Sequence, residues 1–435
     1  MGKSTTKSLV AGRSAQDLVR RLGHTLDIAR QAVDRLAATG YADPREPANN
    51  LRPEKVIAET AFLLLCASRA GAHPEIREKI QSLAERLIPY ARGERMVLGV
   101  CLEPALALDY AQAHICLARL GYPDPGFDSV LRRSVDSQAR AGRERPPHRV
   151  LEQHWLEEGW DGSRSNSHSK LTAAARNSVL GRPMDLLSSS RDDVYAFTHA
   201  LMYVTDCHLP PRQLPRPVSV ILAEAEAALS RCLDDQDYDL GGEVLLAWPL
   251  TGRPWSAAAA FGFRVLARVE DEAGFLPSPS TKLQRLNELK GDERSNYLLA
   301  TVYHTAYVMG LVCAVALEPG KAPPAEIPPG RFAAGSADKI LPFLDADAHR
   351  THWREEFDRL AAPERNALAG LLFAIALRRK ASQRDFAGLR ATLAVGYELG
   401  LANSPAASQA AELLERIAAA APLLAGRRPP PPERA

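Results

Sequence analysis

The sequence predicts an all-α fold: stacked antiparallel helical hairpins, α/α-toroid-like, with a smaller C-terminal helical region. Three observations carry this. Apolar residues recur at helical spacing through most of the 435 residues. Runs with strand alternation are confined to Arg149–Trp155 and Glu243–Trp248, and both also fit short helices. The apolar runs share one punctuation, a glycine stop, a short polar loop and a proline near the next start: Gly40 before Pro44 and Pro53, Gly71 before Pro74, Gly121 before Pro123 and Pro125, Gly400 before Ser404-Pro405. Glycine suits the position just past a helix and proline the first helical turn. Short connections make successive helices antiparallel neighbours, and hairpins stacked this way form an open solenoid or a closed toroid.

In chain order, helices are expected near 14–39, 52–70, 74–92, 104–120, 126–140, 147–158, 190–206, 216–234, 255–272 and 294–317. Further helices follow near 336–344, 350–360, 363–379, 383–399 and 405–425. Residues 1–12 read as a disordered tail, 13–318 as the helical-hairpin domain and 319–335, with five prolines, as a linker. Residues 336–425 read as the C-terminal helical region, and 426–435, with four consecutive prolines, as a disordered tail. Residues 159–189, rich in Ser, Asn and Gly, read as a long irregular segment of the kind that often carries function.

Composition bounds the function. Lysine plus arginine number 54 and aspartate plus glutamate 52, a net charge of +2 with 46% apolar residues. That balance excludes a disordered chain and argues against a nucleic-acid binder. Basic charge is carried by 44 arginines and 10 lysines, a bias expected of a GC-rich bacterial genome. The six cysteines form no C-x-x-C pair, so reduced thiols and a cytoplasmic protein are expected. Tyr297–Leu317 runs 21 residues without a formal charge, but its three tyrosines, two threonines and His304 read as a buried helix rather than a membrane span.

Three helices do not look like surface helices. In Pro104–Ala118 only Asp109 and His114 can carry a charge near neutrality, and Tyr110 shares a face with His114. In Asp192–Asp206, at about 100° per residue, Asp192, Tyr195, His199, Tyr203 and Asp206 fall within an arc of about 80°. That stripe holds no lysine, arginine, glutamate or glutamine, which marks a cavity wall rather than open solvent. Tyr297–Leu317 is apolar around most of its circumference, with His304 on one face and Tyr303 and Tyr307 beside it. In a toroid such helices form the inner ring, so His114, His199 and His304 are expected to converge on a central pit.

Two chemistries fit that pit. Three neutral imidazoles could hold zinc or iron with an open position. However, the sequence has no H-E-x-x-H or E-x-x-H, so no metal ligand is assigned and no cofactor is named. Alternatively, Asp206 or Asp192 orients His199 as acid or base while Tyr195, Tyr203 or Tyr303 donates to a developing anion. Tyr303, His304, Tyr307, His114 and Trp248 then form the substrate-binding set. Against both stands the reading that each histidine and tyrosine satisfies a helix–helix hydrogen bond. Trp248 and Trp255 flank a Pro/Gly-rich turn as a pocket rim or as core anchors, and Cys207 reads as a small buried residue at a helix end. Gly241-Gly242 is too short for a phosphate loop, and the nucleotide-binding and serine-hydrolase motifs are missing from the sequence.

The run from Asn177 to Leu187, the run Asp193–Asp206 and the run Tyr303–Gly310 together resemble a family of helical proteins without an assigned function from actinobacteria and related GC-rich bacteria. The resemblance associates the chain with specialised-metabolite or modified-peptide gene neighbourhoods and carries no catalytic residue over. At fold level the chain also resembles α/α-toroid enzymes such as terpene cyclases and lanthionine cyclases. It lacks the aspartate-rich motif of the first and the zinc-binding Cys/His motifs of the second, so neither chemistry transfers. The expectation is a tailoring enzyme, or else a non-enzymatic solenoid scaffold. Its partner would be a small molecule, a peptide segment or another protein, and neither a nucleic acid nor a membrane.

Overall fold

A computed structural model of the chain describes residues 3–36, 53–161, 167–205, 213–344 and 351–425. Among them the regular structure is helical, with no strand. The first half comprises α1 (Lys3–Leu36), α2 (Pro53–Ala67), α3 (Pro74–Ala91), α4 (Glu94–Leu102), α5 (Ala107–Arg119), α6 (Pro125–Val135), α7 (Pro147–Trp160) and α8 (Ser167–Asn177). The chain continues through α9 (Arg191–Val204), α10 (Val218–Asp234), α11 (Tyr238–Leu245), α12 (Ala247–Thr251), α13 (Ala257–Ala273), α14 (Leu283–Glu288) and α15 (Gly291–Ala316). Six more follow: α16 (Ser336–Ile340), α17 (His352–Asp358), α18 (Ala362–Ala367), α19 (Ala369–Ser382), α20 (Phe386–Glu398) and α21 (Pro405–Ala425).

Local chemistry explains many of these boundaries. Asp124 caps α6 by accepting from the Phe127 amide, with Pro125 in the first turn. Ser190 caps α9 in a reciprocal box with Asp193. Gly121 and Gly400 take the left-handed backbone expected past a helix, with φ of 98° and 74°. Gly71 does not: it ends a 3-10 turn in right-handed geometry, and Gly40 lies outside the described residues. Several expectations need correction. The helix expected over 126–140 stops at Val135, where Ser137 caps a separate 3-10 turn. The one expected over 363–379 breaks at Leu368 into α18 and α19. The segment 159–189 contains α8 and a short turn at Val179–Gly181, and both strand candidates are helical.

Six helices follow one another in a closed succession of contacts. α2 packs on α5, α5 on α7, α7 on α9, α9 on α11, α11 on α15, and α15 returns to α2. α1, α3, α4, α6, α8, α10 and α13 each pack against one or more of the six. Glycine sets the closest approaches. A Cβ at Gly242 of α11 would sit 2.6 Å from Val308 Cγ1 of α15, and one at Gly310 would sit 2.5 Å from Thr25 Cγ2 of α1. The Gly241-Gly242 pair is thus a helix-packing device. α15 is long and apolar enough to cross a membrane, but 78% of its most apolar stretch is buried among the other helices, which accounts for its composition. The C-terminal helices pack back on this body: α19 lies on α10, with Arg378 paired to Asp235 at 2.7 Å. One apolar core runs from Leu18 to Ala410.

Candidate functional site

All six helices of the succession contribute to the wall of one cavity of about 820 Å³. Glu59 and Phe62 come from α2, Asp109 and Gln112 from α5, Arg149 and Glu152 from α7, Tyr195, His199, Met202 and Tyr203 from α9, Glu243 from α11, and His304, Tyr307 and Leu311 from α15. Ligand pockets in proteins commonly span about 300–1,000 Å³, so the space admits a small organic molecule.

Its floor is an imidazole among carboxylates. His304 Nδ1 lies 3.1 Å from Glu59 Oε2, and its Nε2 lies 3.6 Å from Asp239 Oδ1 and 3.7 Å from Glu243 Oε1. Burial disfavours the imidazolium, but these acids outweigh burial and hold His304 well above the ordinary histidine range. The same charge works in reverse on its partners. Burial would raise Glu59 and Glu243, yet His304 holds Glu59 below the usual carboxylate value, and the imidazole N–H groups of His199 and His304 hold Glu243 below it. Asp239 goes the other way: burial raises it, His304 opposes, and Glu243 adds to the rise. Arg191 bonds Asp239 at 2.6 Å and Asp237 at 2.8 Å, and Thr305 donates to Asp239.

Glu243 also joins the floor to the wall. It is 3% exposed, accepts from Thr198 and lies 3.4 Å from His199 Nδ1. His199 Nδ1 is 3.0 Å from the Tyr195 carbonyl oxygen and 3.3 Å from Thr198 Oγ1. The Tyr195 ring lies over the His199 ring at 3.7 Å between centroids. Arg149 donates to the Tyr195 hydroxyl at 3.0 Å and to Glu152 at 2.6 Å, and Tyr203 donates to Glu152 at 2.9 Å. Burial keeps the Tyr195, Tyr203 and Tyr303 phenols above their ordinary value, hence protonated. His148, edge-on to His199 at 6.4 Å, is pushed down to about 4, chiefly by burial.

Of the residues expected at the site, Tyr195, His199, Tyr203, His304 and Tyr307 line the cavity, and Tyr303 lies behind it, edge-on to Tyr307 at 5.3 Å. Three expectations are corrected. His114 does not converge with the other two histidines. It is fully buried, stacked on Phe127 at 4.4 Å, accepts from Arg92 and donates to Asp128, so its hydrogen bonds are spent within its own helix contacts. Asp192 is exposed in the first turn of α9, away from the cavity. Trp248 is 1% exposed and stacked with Trp255, a core anchor rather than a rim. Asp206 and Cys207 lie outside the described residues. Among the described residues, no group of three His, Cys, Asp or Glu side chains is arranged to hold a metal ion.

Sequence reasoning missed Glu59, Glu152, Asp239, Glu243 and Arg149. A signal existed for two of them. Glu59 is the only charged residue in 56–68 and Glu243 the only one in 240–252, each in an otherwise apolar helical run. A lone acid in such a run must find a partner inside the fold.

A family model described as a domain of unknown function, DUF6895, matches residues 22–314, which include every cavity-lining residue named above. No curated protein and no solved structure matches the chain.

Proposed function

The chain belongs to the DUF6895 family, and we propose that it is an acid–base enzyme whose α/α-toroid closes around a cavity for a small molecule or a peptide segment. One observation carries this reading: six helices, linked in a closed series of contacts, all contribute to one cavity that has a carboxylate-anchored imidazole in its wall. An open solenoid scaffold, the alternative, has no need for α15 to pack on α2. The resemblance to proteins of specialised-metabolite neighbourhoods is the basis for reading the enzyme as a soluble, cytoplasmic tailoring enzyme.

The roles follow from the hydrogen bonds. The Tyr195 carbonyl and the Glu243 carboxylate beside His199 Nδ1 can only accept, so Nδ1 carries the proton. Nε2 then presents a lone pair and takes the proton from the ligand, with Glu243 stabilising the imidazolium that forms. Tyr195 accepts from Arg149, which leaves its own hydroxyl hydrogen to donate to a ligand oxygen on which negative charge develops. A positioned general base contributes about 10²–10⁴-fold in rate.

Hydrogen exchange into ligands tests the assignment without a known substrate. A library of small carbonyl compounds and short peptides is incubated with the protein in D₂O, and deuterium uptake at carbon is followed by proton NMR. The expected result is uptake catalysed by the wild type in at least one compound and lost in His199→Ala, with unchanged helical circular dichroism. Equal uptake with both proteins contradicts the proposal. A His199→Ala chain that fails to fold returns His199 to the role of a core hydrogen-bonding residue.

A further inference from the structure

Resting on that reading of the cavity, we infer that its ligand carries a protonated amine, seated against Glu243 and Glu59 with its apolar body along the tyrosine wall. The buried cations of the cavity are already committed, and the exposed Lys55 and Arg95 on its lining sit beside Glu59 and Glu54. Both ring nitrogens of His304 face carboxylates, Nδ1 towards Glu59 and Nε2 towards Asp239 and Glu243. The two terminal nitrogens of Arg149 donate to Glu152 and to Tyr195. Neither side chain turns these groups towards an anionic ligand.

Acceptors, by contrast, are in excess. A carboxylate offers about four lone-pair sites. Glu243 is 3% exposed, yet the nearest cationic donor to its Oε1 is His304 at 3.7 Å, beyond hydrogen-bonding reach. Glu59 Oε1 lies 3.6 Å from the half-exposed Lys55. The charged residues lining the cavity are five acids, Glu54, Glu59, Asp109, Glu152 and Glu243, against Lys55, Arg95, Arg149 and His304, which leaves one negative charge unbalanced. An ammonium group brings up to three donors in a compact cation, and Tyr195, Tyr203 and Tyr307 line the cavity it enters.

Three probes with one apolar body and three head groups test this: cyclohexylmethylamine, cyclohexylmethanol and cyclohexanecarboxylate, titrated calorimetrically into the full chain. The expected order is amine tightest, alcohol weaker and carboxylate weakest. Glu243→Gln weakens the amine about tenfold while leaving the alcohol within about twofold, since only the ammonium gains from the charge. Should Glu243→Gln not fold, the half-buried Glu59→Gln takes its place, and the order on the wild type stands as a test by itself. An alcohol or carboxylate that binds as tightly as the amine overturns the amine assignment and leaves the cavity reading intact. If none of the three binds, both the amine assignment and the cavity reading fall.

Discussion

At the residue scale the site turns on His304 and the acids around it. A histidine whose folded value is raised stabilises the fold fully below its unfolded value, about pH 6.5, and loses that contribution as pH climbs through the folded value. Glu59, held low, contributes fully above about pH 4.5 and loses its share as pH falls through its lowered value. The pair is therefore strongest between those limits. His148, at about 4, has the opposite sign to His304, since the unfolded chain binds its proton first as pH falls below about 6.5. Urea denaturation across pH is expected to show stability falling above about pH 6.5, with His304→Gln costing about 1–3 kcal/mol near pH 6 and flattening that alkaline decline. A decline unchanged in the variant contradicts the charge assigned to His304. The tyrosines and histidines of this site were legible in the sequence because polar rings on an apolar helix stand out. Glu152 and Asp239 were not, because each looks like any other surface charge until its helix is seen to be buried, whereas Glu59 and Glu243 stand alone in apolar runs.

At the element scale, the pairing of α11 with α15 sets the site, because Gly242 precedes Glu243 and faces Val308. Gly242→Ala places a methyl where 2.6 Å is available, so one helix must shift. The expected cost is about 1–3 kcal/mol by chemical denaturation. It should be accompanied by weaker amine binding, because Glu243 moves with the backbone. A variant as stable as the wild type with unchanged binding contradicts this role. Helices with strong ends were legible: Gly121 before Pro123 and Pro125, and Gly400 before Ser404-Pro405, announce α6 and α21. The short elements α4, α11 and α14 were not, because their geometry is dictated by neighbours. Gly99 within α4, for example, is covered by the Tyr110 ring, against which a Cβ would lie 2.4 Å away.

At the scale of the molecule, closure of the six-helix succession is what turns scattered polar residues into a site. That closure joins α15 to α2 across some 240 residues of sequence, and the register of such a contact leaves no local periodic trace. His114 shows the limit: the same pattern of an imidazole on an apolar helix gave one histidine locked in the core and two facing the cavity. Glu59, Glu243 and His304 belong to three different helices, so the charge on His304 is a readout of the packing of α2, α11 and α15 together rather than of any one element. The decisive measurement is the long-range proton–nitrogen NMR spectrum of the histidine side chains at about pH 8, where an unperturbed imidazole is neutral. One imidazole is expected to remain protonated on both nitrogens and to be absent from the spectrum of His304→Gln. A His304 signal in the neutral form at that pH would mean that the acids of α2 and α11 do not meet it across a common cavity.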